Sequence, residues 1–151
     1  MIFGIVVAAL TVSGLTQAQP EFVPEFRLPC HPTATVFDTP PKDPSADPFG
    51  NGPWYVNETR TLWAAGQPLV SGPNGNRVLW IKPRGSRIEI LGRRLDGDAP
   101  PLKVDVRASS AYLQKGFEPN RLFFSEPGCW EITATAGKEE LSFVVEVQAG
   151  R

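Results

Sequence analysis

The residues best suited to covalent or metal chemistry in this 151-residue chain are two cysteines and one histidine. Cys30 and His31 are adjacent, whereas Cys129 lies far downstream in a Pro-Gly-Cys-Trp-Glu sequence. A free thiolate can act as a nucleophile, but two cysteines in an exported protein are expected to form a disulfide. We predict a structural Cys30–Cys129 bond. It would leave no thiolate, and one histidine is too few for a His–Cys metal site.

Two predicted loops carry neighbouring carboxylates that could act as acid and base or bind calcium. Asp96 and Asp98 lie in one loop, and Glu139 and Glu140 lie in the other. Acidic residues in glycine-rich loops are commonly solvated turn formers, which is the simpler interpretation. We therefore predict no catalytic residue, no metal site and no cofactor. A hydrolytic enzyme that uses these loop carboxylates is the alternative.

A group of basic residues is the first candidate for a ligand surface. These residues crowd one predicted hairpin, in which Glu89 is the single acid. A positive face of this kind suits an anionic polymer, although arginine on an exposed strand also protects a sheet edge. The candidate ligand residues are Arg84, Arg87, Arg93 and Arg94, and the group also includes Arg77 and Lys82.

Tryptophan is the second candidate, because an exposed indole can stack on a sugar ring. Trp80 and Trp130 belong to alternating strand patterns and are predicted to be core residues. Trp54 and Trp63 lie beside polar, turn-rich sequence, so we retain them as possible ligand-surface residues. The alternative is that they are buried too, as large aromatic residues of sandwiches mostly are.

The elements that must position these residues begin after an apolar leader. The chain is uncharged through Thr16 and carries an apolar run from Ile2 to Leu10, which is typical of a secretory signal peptide. Small residues at Thr16 and Ala18 predict residues 1–18 as the signal peptide, with cleavage after Ala18. An uncleaved anchor is the alternative. After cleavage no stable membrane insertion is expected.

Residues 19–52 form a proline-rich arm in this prediction. Its prolines remove backbone donors, so no interior strand longer than residues 33–37 fits within it. Cys30 would pin the arm to the domain, whereas composition alone also allows residues 38–50 to be a disordered spacer. The prolines are Pro20, Pro24, Pro29, Pro32, Pro40, Pro41, Pro44 and Pro48.

Residues 53–151 are predicted to be one β-sandwich domain. Trp130, Ile132 and Ala134 alternate with polar residues, and a second alternating run extends from Leu141 to Val147. About eight short strands at this spacing indicate an all-β, antiparallel sandwich. The strands that flank residues 83–85 are expected to pair as a hairpin, and residues 109–115 are expected to form no more than a turn.

The net charge of the sequence limits the classes of partner that we expect. Fifteen Lys and Arg residues against sixteen Asp and Glu residues give a net charge of −1. This balance supplies no general attraction to nucleic acid or to an anionic membrane surface. We therefore expect no nucleic-acid partner.

The later part of the chain resembles a family of small secreted bacterial proteins of uncharacterised function. The similarity spans roughly residues 50–147, and its most specific part is the Pro-Gly-Cys-Trp-Glu sequence of residues 127–131. This resemblance implies an exported bacterial protein with an immunoglobulin-like sandwich, and it implies no activity. The sequence therefore predicts a secreted or cell-envelope, non-catalytic binding or accessory module. Its partner would be an unidentified envelope polymer or protein.

Overall fold

Short alternating runs of apolar residues form nine strands in the computed structural model, which describes residues 29–41, 52–105 and 109–150. The predicted signal peptide and most of the proline-rich arm lie outside these ranges. The strands are β1 Trp54–Val56, β2 Trp63–Ala65, β3 Leu69–Val70, β4 Asn76–Ile81, β5 Ile88–Arg94, β6 Lys103–Asp105, β7 Phe117–Phe123, β8 Gly128–Ala136 and β9 Glu139–Gln148, and one short helix, α1, spans Ser109–Tyr112.

The strands assemble into two sheets, which confirms the predicted all-β sandwich. The five-stranded sheet has the order β1-β2-β4-β7-β6, and the four-stranded sheet has the order β3-β9-β8-β5. Without β1 and β3, the two sheets reproduce the A-B-E-D and C-F-G strand orders of an immunoglobulin-like domain. One pair departs from the antiparallel prediction, because β3 runs parallel to β9.

The predicted hairpin between β4 and β5 is wrong. β4 pairs with β2 and β7, whereas β5 pairs with β8 in the other sheet. The connection around Pro83 and Gly85 therefore crosses from one sheet to the other. Ile88 and Ile90 of β5 lie directly opposite Ala136 and Ala134 of β8. All four residues are buried in the main core.

The main core lies between the sheets, as the alternation in the last two strands predicts. Trp130, Ile132 and Phe143 are buried there, and Trp80 contributes from the opposite sheet. Tyr55 of β1 stacks on Phe143 of β9 with ring centroids 4.1 Å apart. The predicted core positions of Trp80 and Trp130 are confirmed.

The described part of the arm joins the two sheets. The predicted Cys30–Cys129 disulfide is present, with Cα atoms 5.4 Å apart. Cys129 alternates with the core residue Trp130, so its side chain is on the outer face of β8, where the arm covers it. A disulfide of this kind indicates an oxidising, extracytoplasmic compartment.

Beyond the disulfide the arm follows the edges of both sheets. The Thr33 backbone N–H donates to the Val144 carbonyl of β9 at 2.9 Å. Val36 then forms an antiparallel bridge to Trp54 of β1. The strand predicted over residues 33–37 is thus reduced to this single bridge, because the arm passes from one sheet to the other.

Candidate functional site

The sugar-stacking interpretation of Trp54 and Trp63 is wrong, because both side chains are buried. Trp54 is 4% exposed and Trp63 is 2% exposed, and their rings pack edge to face at 6.4 Å. They form a second apolar cluster with Ile81 on the outer face of the five-stranded sheet. The Trp63 indole N–H donates to the Arg60 carbonyl at 2.7 Å, so its polar atom is also satisfied.

The predicted basic surface does not form as one patch. Arg77 and Arg93 lie on outer faces of different sheets, because β4 and β5 belong to different sheets. Arg84 and Arg87 lie in the exposed β4–β5 connection.

Neighbouring acids also neutralise part of the predicted surface. The Arg93 Nε donates to Glu131 at 2.7 Å, and the Arg94 Nε donates to Asp96 at 2.8 Å. Arg94 and Asp96 each expose only 11% of their side chains. Partial burial opposes ionisation of Asp96, but the Arg94 hydrogen bond, a backbone hydrogen bond and the Arg94 charge hold its pKa below 3.8. The role of Arg94 is therefore structural.

The loop carboxylates of the alternative enzyme hypothesis lie at opposite ends of the four-stranded sheet. Asp96 follows the end of β5 that pairs with Trp130, whereas Glu139 lies opposite Ala136 at the far end of β8. Nine residues of β8 separate these ends, by roughly 25 Å at ~3.3 Å per residue. The two loops cannot supply an acid and a base to the same bond.

Glu139 instead links the ends of the two sheets. Its Oε2 accepts hydrogen bonds from Thr59 Oγ1 at 2.5 Å, Thr61 Oγ1 at 2.7 Å and Asn57 Nδ2 at 3.1 Å. The Thr59 and Thr61 hydroxyls hold the pKa of Glu139 below its ordinary 4.5. Because the donors come from the β1–β2 loop, the network ties the five-stranded sheet to the β8–β9 turn.

A concave surface with basic side chains lies on the outer face of the five-stranded sheet. Arg77 of β4 lies directly opposite Arg121 of β7, and Arg121 lies opposite Asp105 of β6. The groove has a volume of about 610 Å³, within the usual range for ligand sites. It is lined by Pro73, Asn74, Arg77, Asp105, Tyr112, Pro119, Asn120, Arg121 and Phe123. We call this surface the basic groove.

Two lysines and several rings extend the basic groove. Lys103 Nζ lies 5.9 Å from the centre of the Phe123 ring. Lys115 Nζ lies 5.2 Å from the Tyr112 ring and 5.4 Å from the Phe117 ring. Aromatic faces attract cations at these distances, so the rings help to place the two ammonium groups.

Sequence reasoning missed Arg121, Lys103 and Lys115. Arg121 alternates with the buried Asn120 and Leu122 along β7, and this pattern could have marked Arg121 as an outward-facing residue. The alternation alone could not show that the partner strand would place Arg77 opposite Arg121.

The outer face of the four-stranded sheet has the opposite charge. Strand alternation places four glutamates on this face, together with Arg93, which pairs with Glu131. The glutamates are Glu89, Glu131, Glu140 and Glu146. The fold therefore separates charges that nearly cancel in the sequence as a whole.

No group of three or more His, Cys, Asp or Glu side chains in residues 29–41, 52–105 and 109–150 could hold a metal ion. No helix within these same ranges is long and apolar enough to cross a membrane.

The chain matches no protein-family model and no curated protein. Among solved structures it is similar to one described as "X-ray Crystal Structure of a Putative Lipoprotein from Bacillus anthracis", with 15% sequence identity and a TM-score of 0.46. The similarity covers 76% of this chain and 88% of that chain.

Proposed function

We propose that this protein is an exported, non-catalytic module that binds an anionic polymer of the cell envelope in the basic groove. The observation that carries the proposal is the direct cross-strand pairing of Arg77 with Arg121. The Cys30–Cys129 disulfide and the apolar leader support export. The resemblance to small secreted bacterial proteins supports the same compartment.

The arginine pair favours an anion because like charges placed directly opposite each other destabilise a sheet. A carboxylate or phosphate between the two guanidinium groups would relieve that repulsion and accept charge-assisted hydrogen bonds. Asp105 offsets part of the charge beside Arg121. Lys103 and Lys115 add two further positive charges at the edge of the groove.

A polymer fits the arrangement better than a single small anion. Neighbouring strands are ~4.8 Å apart, so basic residues on β4, β7 and β6 spread over roughly 10 Å across the sheet. Repeating anions can contact several of these residues at once. Phe123 and Pro119 supply apolar surface between the charges for the rings or carbons of the polymer.

The proposal is tested by measuring binding of the disulfide-bonded protein to polygalacturonate, which carries carboxylates, and to teichoic acid, which carries phosphates. Dextran serves as the neutral control polymer. We expect binding to at least one anionic polymer, and the Arg77→Ser/Arg121→Ser variant should weaken it by about tenfold or more, since each lost charged hydrogen bond contributes ~1.5–3 kcal/mol.

The matched control is Arg87→Ser/Arg93→Ser, which removes the same charge from outside the groove. This control should retain most of the affinity. Binding to neither anionic polymer, equal binding to dextran, or an equal loss in both double variants would overturn the proposal. The two anionic probes together show whether carboxylate or phosphate is preferred.

A further inference from the structure

Three buried polar atoms in the core of the five-stranded sheet have no hydrogen-bonding partner within the described residues. They are the indole Nε1 of Trp80, the carboxylate Oε2 of Glu118 and the amide Oδ1 of Asn120. The three residues are only 0%, 1% and 3% exposed, respectively. Native proteins pair nearly all such groups with protein or with ordered water, so this cluster requires an explanation.

The three side chains belong to one small region. Trp80 of β4 and Glu118 of β7 lie directly opposite each other, so both point to the same face of the sheet. Asn120 lies two residues further along β7, and therefore also faces inward. The Asn120 Nδ2 donates to the Glu118 Oε1 at 3.2 Å, which joins two of the three residues.

Lys82 does not complete the cluster. Its Nζ donates to the backbone carbonyls of Ser86 at 2.6 Å, Tyr112 at 3.1 Å and Lys115 at 3.2 Å. These three bonds use all three hydrogens of the ammonium group. The Nζ also lies 3.9 Å from the Glu118 Oε2, which is close enough for an ion pair but too long for a hydrogen bond.

We infer that this cluster is a binding site for an internal water molecule. The water accepts a hydrogen bond from the Trp80 indole and donates its two hydrogens to the Glu118 Oε2 and the Asn120 Oδ1. One donor and two acceptors match the bonding capacity of water, and buried waters typically make about three hydrogen bonds.

The charges around the site select water over an ion. A metal cation would lie near the Lys82 ammonium group and would face the indole N–H, which has no lone pair to offer. An anion would meet the Glu118 carboxylate. A neutral molecule that both donates and accepts hydrogen bonds is compatible with all four side chains.

The proposed water site and the basic groove lie on opposite faces of the same strand, β7. Glu118 and Asn120 point into the core from β7, whereas Pro119 and Arg121 lie on its outer face. A water that joins β7 to Trp80 fixes the strand from the inside. It thereby acts as a positioning element for the outward-facing Arg121, and it exists whether or not the groove binds a polymer.

Nuclear magnetic resonance of the four tryptophan indoles tests the inference on the unmodified, disulfide-bonded protein. Water–protein cross-peaks are measured at each assigned indole N–H in both laboratory-frame and rotating-frame experiments. A long-lived bound water gives cross-peaks of opposite sign in the two experiments. We expect this signature at Trp80.

Trp63 and Trp130 are internal controls, because their indoles donate directly to the carbonyls of Arg60 and Glu126 at 2.7 and 3.1 Å. We expect no long-lived water at either indole. A Trp80 indole without the long-lived signature would overturn the inference. A high-resolution crystal structure in which Trp80 Nε1 bonds directly to a protein oxygen would do the same.

Discussion

Glu139 shows how one half-buried side chain can connect two elements that are distant in sequence. Its carboxylate accepts hydrogen bonds from Asn57, Thr59 and Thr61, which all belong to the loop between β1 and β2. The Asn57 Oδ1 in turn accepts from the Thr61 and Leu62 backbone N–H groups at 3.0 Å. Loss of the carboxylate charge should therefore weaken the contact between the sheets at this end.

The pH dependence of stability tests this role. The pKa of Glu139 lies below 4.5 in the folded protein because of the Thr59 and Thr61 hydrogen bonds. A lowered folded pKa means that the ionised group stabilises the fold above the unfolded pKa, and that this contribution is lost as the pH falls through the folded pKa.

We expect the difference in free energy of unfolding between the native protein and Glu139→Gln to be constant above about pH 5.5 and to shrink below about pH 4.5. Urea denaturation at a series of pH values measures it. Glu140→Gln is the control for a charge lost at the neighbouring exposed position. A difference that stays constant down to pH 3 would contradict the role assigned to Glu139.

Two buried asparagines provide a matched comparison. The Asn76 side chain accepts a bond from the Val70 N–H at 2.9 Å and donates to the Val70 carbonyl at 2.7 Å. Asn120 makes one hydrogen bond to protein, through its Nδ2, and its Oδ1 has no partner in the described part of the chain. Replacing Asn76 should therefore leave more backbone groups unpaired.

Asn76→Leu should lower the free energy of unfolding by about 2–4 kcal/mol, because each buried group left unpaired costs ~1–3 kcal/mol. Asn120→Leu should cost less. Guanidinium denaturation of both variants at pH 7 provides the comparison. If Asn120→Leu is the more destabilising of the two, the account of their bonding is wrong.

At the residue scale, the sequence predicts the core better than it predicts the surface. The alternating patterns place Trp80 and Trp130 in the core correctly. Alternation fails for Trp63, because Leu62 and Ala64 fill the inner core while Trp63 is buried on the outer face. A strand buried on both faces has no alternation to read.

At the scale of elements, the sequence predicts that Cys30 pins the arm to the domain, and the structure shows which sheet edges the arm covers. The disulfide holds Cys30 on the outer face of β8, and Thr33 and Val36 then cover edges of the two sheets. Uncovered edges present unpaired backbone groups that favour association with other chains. The bond therefore protects the edges as well as restraining the chain.

Removing the disulfide should destabilise the domain substantially. The cysteines are 99 residues apart in the chain, and closing a long loop in the unfolded state is associated with about 2–5 kcal/mol of stability. We expect the Cys30→Ser/Cys129→Ser variant to lose stability in this range in guanidinium denaturation. The native protein under reducing conditions should behave like the variant. Equal stability of the oxidised protein and the variant would show that the disulfide contributes nothing to the stability of the fold.

The connection between β4 and β5 shows that strand pairing cannot be predicted from the local sequence alone. Pro83 and Gly85 signal a turn, and a turn between two alternating strands usually predicts a hairpin. Here the same turn leads into the other sheet, because β7 and β8 arrive later in the chain to pair with β4 and β5. Partners so distant in sequence leave no mark on the local pattern.

At the scale of the whole molecule, the separation of charge between the two sheets is the property on which the proposed function depends. A net charge of −1 gives no indication of it. The fold collects Arg77, Arg121 and Lys103 on the outer face of one sheet and places glutamates on the outer face of the other. An anionic ligand should therefore approach one face and be repelled by the opposite one.

The most direct test of this account is a ¹⁵N–¹H titration of the disulfide-bonded protein with a short oligogalacturonate at low and high salt. We expect shift changes to concentrate around Arg77, Lys103, Arg121 and Phe123. They should weaken at high salt, because added ions screen exposed charges. Shift changes centred on the outer face of β8 and β9, or none at any concentration of oligogalacturonate or of a matching teichoic acid fragment, would contradict the account.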